Sequence, residues 1–172
     1  MADIGVDLFD RLLEDGKRGL DLVVGDVESA EAPHDGAVAS SLLHDESVLE
    51  AAALHLECDV SAMENSLGYE LGSWVPYMTI DFEVINEATG ETAAEGSFMV
   101  MAASDGPHYG ANIALPEAGT YTVRFTFHSP AENGYLVHSD AETGPGGLLE
   151  DVWGDGPLTL EYKGWDYIPQ EW

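Results

Sequence analysis

Two short segments of this chain carry side chains whose types and spacing suit metal coordination. The first is His55-Leu56-Glu57. In an extended strand, residues two apart point the same way, so an imidazole and a carboxylate leave one face together. Such a pair suits a divalent cation: imidazole favours Zn, Cu, Fe and Ni, and the carboxylate adds a hard anionic oxygen. The spacing alone is common, and two exposed polar residues on an acidic protein would look the same. The second segment runs Met99-Val100-Met101, then Ala103-Ser104-Asp105-Gly106-Pro107-His108-Tyr109-Gly110. It reads as a strand with two methionines on one face, followed by a tight Asp-Gly-Pro turn that displays a histidine. Methionine is more often core filler than ligand. Beside imidazole, a thioether favours copper, or iron when a carboxylate joins.

The remaining histidines read as surface residues. His34 and His44 lie in a polar connection, His128 follows a strand on its polar side, and His138 sits in a polar loop ending Glu142-Thr143-Gly144. The lone cysteine, Cys58, excludes an intrachain disulfide framework and a four-cysteine zinc site. By strand parity it faces away from His55 and Glu57, which argues against a blue-copper centre. No Ser-His-Asp arrangement, phosphate-binding glycine loop or paired catalytic carboxylate stands out, so the chain is not expected to be an enzyme. Asp105 and Asp140 read as turn formers.

The elements that must position these residues are mainly strands. Residues 51–60 alternate, with Leu54, Leu56 and Cys58 opposite His55 and Glu57. Residues 75–86 alternate Met78, Ile80, Phe82 and Val84 with polar partners, and 96–102 resumes as a strand after a turn near Gly90. Residues 120–128 give the cleanest alternation, with Tyr121, Val123, Phe125 and Phe127 inward. Leu158, Leu160 and Tyr162 repeat it. Many short strands separated by turns, with no substantial helix after residue 50, predict an all-β antiparallel sandwich. Ahead of it, residues 1–50 read as an N-terminal segment: a short helix closing near Gly16, an apolar run over 20–24 suited to a strand, and an irregular acidic connection over 26–47. Residues 51–172 form the sandwich domain.

Composition sets the limits on partners. The 172 residues include 33 Asp and Glu against 5 Lys and Arg, a formal charge of −28, yet 45% are hydrophobic and 16 are aromatic. Enough apolar mass is present to fold, so the acid belongs to the surface. Phosphate backbones and anionic membranes are repelled, which excludes nucleic acid as a partner. Acid with almost no lysine is the composition of a halophile's protein, stable where salt screens the self-repulsion. No run has the apolar length of a membrane span, so no direct membrane insertion is expected. The start, Met1-Ala2-Asp3-Ile4-Gly5, lacks a signal peptide's basic and apolar regions. That leaves a cytoplasmic protein or a mature form whose export signal has been replaced.

The ordered set of motifs resembles a known family. Leu54-His55-Leu56-Glu57, Gly72-Ser73-Trp74-Val75-Pro76-Tyr77, Gly96-Ser97-Phe98-Met99-Val100-Met101, Ala103-Ser104-Asp105-Gly106-Pro107-His108-Tyr109-Gly110-Ala111-Asn112 and His138-Ser139-Asp140-Ala141-Glu142-Thr143-Gly144 occur in this sequence in that order. Together, from about residue 53 to residue 164, they look like the periplasmic ferrous-iron transport protein family. The resemblance implies an immunoglobulin-like sandwich that forms homodimers and serves high-affinity iron uptake from outside the cytoplasmic membrane, beside an iron permease. It also implies a copper or iron site built from His55, Glu57, Met101, His108 and His138, close enough to the subunit contact for one ligand to come from the partner chain. Zinc is a possible substitute ion. This chain departs from the pattern at Cys58, where a small residue is usual, at Val100 in place of proline, and at Val137 in place of a basic residue. The family's packing residues are matched by Trp74, Pro76 and Tyr77, with Tyr77 a candidate hydrogen-bond partner behind the site. Two other readings are left open: an immunoglobulin-like interaction module whose histidines bind nothing, and, ranked lower, a redox role using the same metal as an accessory to transport.

Overall fold

The computed structural model describes residues 20–23, 54–104 and 106–169. Within them are eight strands: β1 (Leu20–Val23), β2 (Leu54–Ala62), β3 (Ile80–Asn86), β4 (Thr92–Ser97), β5 (Met99–Ala102), β6 (Pro107–Ile113), β7 (Gly119–Phe127) and β8 (Leu158–Tyr167). They form two antiparallel sheets, ordered β1-β2-β6-β5 and β4-β3-β7-β8. A 3-10 turn at Pro130–Asn133 and a single helical turn, α1 (Glu150–Trp153), lie between β7 and β8. The all-β antiparallel sandwich expected from alternation is the fold. The proposed helix near Gly16, the connection over 26–47, His34, His44 and Asp105 lie outside the described residues; the apolar run expected as a strand contributes β1, paired with β2.

Period-two patterning places the core between the sheets. β2 and β3 alternate buried and half-buried along their full lengths. Leu56, Cys58 and Tyr109 from one sheet pack with Ile80, Val84 and Phe125 from the other in one cluster, each almost fully buried. Burial pushes the Cys58 thiol far above its ordinary range. The cysteine is a small core hydrophobe on the face opposite His55 and Glu57.

Three boundaries differ from the sequence reading. The alternation over 75–86 yields a strand only from Ile80, because Pro76 supplies no N–H and Tyr77 adopts a left-handed φ of 66°. Residues 96–102 are two strands in different sheets. The chain turns the corner at Phe98, whose N–H donates to the Ile80 carbonyl (2.9 Å) and whose ring stacks on Phe82 at 4.9 Å. Parity survives such a crossing, so alternation alone could not reveal it. Finally, His108 is not displayed by a turn. The reversal ends at Gly106, paired with Ala103, and His108 lies inside β6, a strand concealed by Gly110 and Asn112, both poor strand formers.

β6 is pinned by Tyr109. Its hydroxyl donates to the Val75 carbonyl (2.8 Å) and accepts from the Met78 N–H (3.1 Å). Burial pushes this phenol up to about 12. Its ring lies 5.4 Å from that of Trp74, which accounts for Trp74 as a packing residue. Replacing Tyr109 with Phe strands two buried backbone groups and is expected to destabilise the fold by about 1–3 kcal/mol. Urea unfolding checks this: the midpoint should drop with the slope unchanged. An unmoved midpoint would show that solvent reaches both groups.

Candidate metal centre

The outer face of the β1-β2-β6-β5 sheet carries the candidate ligands. Outward parity on β2 brings out His55 and Glu57 between the buried Leu54, Leu56 and Cys58. In the β2–β6 register, His55 stands opposite Asn112, Glu57 opposite Gly110 and Cys58 opposite Tyr109. His108 therefore emerges on the same face as Glu57. On the far side of β6, Met101 of β5 is the direct partner of His108, and Met99 that of Gly110. Three neighbouring strands thus present imidazole, carboxylate and thioether on one wall of the sandwich.

Distances bring three of these groups together. Glu57 Oε1 lies 3.2 Å from His55 Nε2 and 3.4 Å from His108 Nε2. The two imidazole rings meet edge to face, with centroids 6.1 Å apart. One ligand atom from each of His55, Glu57 and His108 falls within 4.8 Å of the others, the one such trio among the described residues. His108 is 4% exposed, and its Nε2 is buried without a hydrogen-bond partner. The 3.4 Å approach to Glu57 is an electrostatic contact, longer than an N–H···O hydrogen bond. A buried nitrogen left in this state is unfavourable unless something else satisfies it. A cation between two imidazoles and a carboxylate would do so, accepting the Nε2 lone pair and offsetting the Glu57 charge. The donor set is borderline nitrogen, hard oxygen and, with Met101, soft sulfur, which suits copper in either oxidation state and Fe(II).

Comparison with known proteins places the chain. A family model described as Fe2+ transport protein matches residues 40–168. This chain belongs to that family. Among curated relatives, the 34 kDa membrane antigen of Treponema pallidum is 36% identical over 126 residues, covering 72% of this chain and 59% of the relative. The chain therefore spans about 59% of the length of the first curated relatives it matches. Among solved structures, FetP of uropathogenic Escherichia coli is similar with a TM-score of 0.66 at 34% identity, over 90% of this chain and 91% of that one. The copper-reconstituted P19 protein of Campylobacter jejuni is similar with a TM-score of 0.68 at 31% identity, over 88% and 91%.

Within this Fe2+ transport family member, the other candidate residues fall into two groups. Met101 is half-buried on the shared face, directly across the ladder from His108. His138 stands apart from the trio in the chain as described. It is 77% exposed, in a loop where its Nδ1 lies 3.6 Å from Asp140 and 3.4 Å from the Thr143 hydroxyl. Asp140 shapes that loop by accepting from the Glu142 and Thr143 N–H groups and the Thr143 hydroxyl, which holds its carboxyl below the usual range. Tyr77 lies elsewhere: exposed, against the Tyr135 ring, with its carbonyl bonded to Asn133. His128, expected in solvent, is instead clamped between Asp81 (3.0 Å) and Glu132 (3.4 Å) on the opposite sheet.

Two residues at the site carried no metal-ligand signal in the sequence. Asn112 Oδ1 lies 2.6 Å from His55 Nδ1, and Gly110 leaves a gap beside the same ring. Their only sequence signature is a glycine and an asparagine inside a strand, where both are disfavoured unless something needs them.

Proposed function

We propose that this protein is an extracytoplasmic binding protein for copper, iron or both, acting as an accessory to high-affinity iron uptake. Family membership and the copper-bound state of the P19 relative support the reading. The observation that carries it is the buried, unpartnered Nε2 of His108 facing Glu57 and His55. His55, Glu57 and His108 form the basal set and Met101 adds the thioether. His138, exposed on its loop, is a ligand supplied across a homodimer contact. An iron permease in the membrane is the receiving partner. The role is carriage of the ion rather than catalysis. Among the described residues no helix is long and apolar enough to cross a membrane.

Calorimetric titration of the metal-free protein with Cu(II), and with Cu(I) under reductant, tests the assignment. One ion per chain is expected. Met101→Leu should weaken Cu(I) at least about tenfold, equivalent to ~1.4 kcal/mol, while Cu(II) binding changes much less, since thioether sulfur prefers the softer ion. Unaltered affinity for both ions would remove Met101 from the site. A wild type that takes up neither ion would leave the interaction-module reading in its place.

A further inference from the structure

His55 is bordered by two residues, Asn112 and Gly110, that offer the metal nothing themselves. On one side, Asn112 Oδ1 lies 2.6 Å from His55 Nδ1. The two residues are direct partners across the β2–β6 ladder, so the bond is built into the register. On the other side, His55 Nε2 points at Glu57 Oε1, 3.2 Å away. Beside that nitrogen sits Gly110. A Cβ on Gly110 would lie 2.8 Å from His55 Nε2 and 3.2 Å from its Cε1, inside contact distance. Gly110 is absent from the residues with positive φ, so its backbone could accept an alanine. The nearest atoms such a side chain would meet are those of the His55 ring, with the Leu56 carbonyl oxygen next at 3.3 Å.

We propose that Asn112 and Gly110 are positioning residues that commit His55 to bind metal through Nε2. The inference rests on the metal-binding reading above and specifies how one ligand is presented. An amide oxygen can only accept, so it keeps the hydrogen on Nδ1 and leaves the lone pair on Nε2, the nitrogen that faces Glu57 and His108. A partner behind a ligating histidine both fixes the ring and raises its basicity. Gly110 completes the arrangement by leaving the ring and its ion unobstructed on the side where any other residue would project. Asn112 is exposed and lies beyond the β5 pairing of β6, so its only ladder partner is His55, and the bond between the two side chains gives that position its role.

The test compares wild type, Asn112→Leu, Asn112→Asp and Gly110→Ala. Zn(II) loading allows nitrogen NMR of the imidazoles, Cu(II) loading gives affinity and an EPR spectrum, and thermal unfolding of the metal-free forms monitors the fold. In wild type, His55 should keep its Nδ1 proton and be metallated at Nε2. Asn112→Leu should lose about 10–100-fold in affinity, the range for partners behind a ligand. Asn112→Asp, which still accepts from Nδ1, should restore Nε2 ligation. Gly110→Ala should remove one nitrogen from the Cu(II) spectrum. Metallation at Nδ1 in wild type would overturn the inference. So would Asn112→Leu with wild-type affinity and spectrum, or loss of melting temperature in that variant with no change in the ligating nitrogen. Should Gly110→Ala not fold, the Leu and Asp pair at 112 decides alone. A wild type that binds neither ion fails the underlying reading, a result distinct from a wild type that binds and an Asn112→Leu that binds equally.

Discussion

Replacing His108 with leucine is expected to stabilise the metal-free protein and to abolish its stabilisation by copper. In the wild type, the His108 Nε2 atom is buried with no hydrogen-bond partner, and its nearest acceptor, Glu57 Oε1, lies 3.4 Å away. An unsatisfied buried polar group costs about 1–3 kcal/mol, whereas an apolar side chain of similar size at the same place does not. For a chain of this length that corresponds to a rise of roughly 2–4 °C in melting temperature per kcal/mol. Copper reverses the order. A ligand at a thousand times its Kd adds about 4.1 kcal/mol to the state that binds it, and the leucine variant forfeits this gain. The two proteins should therefore exchange rank between chelator and copper in a pair of calorimetric scans. A leucine variant less stable than wild type in chelator would mean that His108 serves the fold. An undiminished copper shift in the variant would remove His108 from the site.

This expected trade between stability and binding follows from where the proposed ligands stand. His55, Glu57, Met101 and His108 come from three adjacent strands of one sheet, and their relative positions are set by backbone register rather than by a loop. Sites on regular elements are held more closely than sites on loops. The apoprotein thus keeps two imidazoles and a carboxylate in place before any ion arrives, and the orphaned nitrogen is the consequence. His138, on a loop tied internally by Asp140 and Thr143, is the opposite case. It is the one candidate carried by an exposed loop rather than by a strand of the sheet.

Part of this was legible in the residues. Alternation along β2 separated His55 and Glu57 from Leu54, Leu56 and Cys58, and the burial pattern is the same. It also placed Cys58 in the core, where its raised thiol is no candidate for a thiolate ligand. What alternation cannot encode is which strands become neighbours. β6 went unrecognised because Gly110 and Asn112, which serve His55, weaken the local strand signal. The step from β4 to β5 was hidden because a corner at Phe98 preserves parity while changing sheets. The convergence of Glu57 with His108, 51 positions later in the sequence, is a product of register and appears only when the sheet is assembled. His128 shows the same limit. Its polar-side position was readable, but its two carboxylate partners come from β3 and the Pro130–Asn133 turn.

Raising the salt concentration is expected to change the stability of this protein more than any single substitution. The formal charge is −28, and from residue 54 onward the only basic side chains are Arg124 and Lys163. Both are already engaged: Arg124 bridges Glu83 (2.5 Å) and Glu161 (2.7 Å), and Lys163 lies 3.2 Å from Glu161. The remaining carboxylates have almost no internal cation to balance them, so self-repulsion is relieved mainly by the solvent. The Debye length shortens from about 10 Å at 0.1 M to about 3 Å at 1 M, which removes most repulsion between surface carboxylates. The melting temperature should rise by at least about 10 °C between 0.1 and 2 M KCl, equivalent to roughly 3–5 kcal/mol for a chain of this size, and level off as screening saturates. Arg124→Gln supplies the internal control. Without the guanidinium, Glu83 and Glu161 flank a neutral side chain on β7, and Lys163 is the one cation left beside Glu161, so the variant should be weakest in dilute buffer and approach wild type as KCl screens the pair. A melting temperature flat from 0.1 to 2 M would refute a surface adapted to salt. An Arg124→Gln deficit that persists at 2 M would show that the bridge acts through packing of its long side chain rather than through charge.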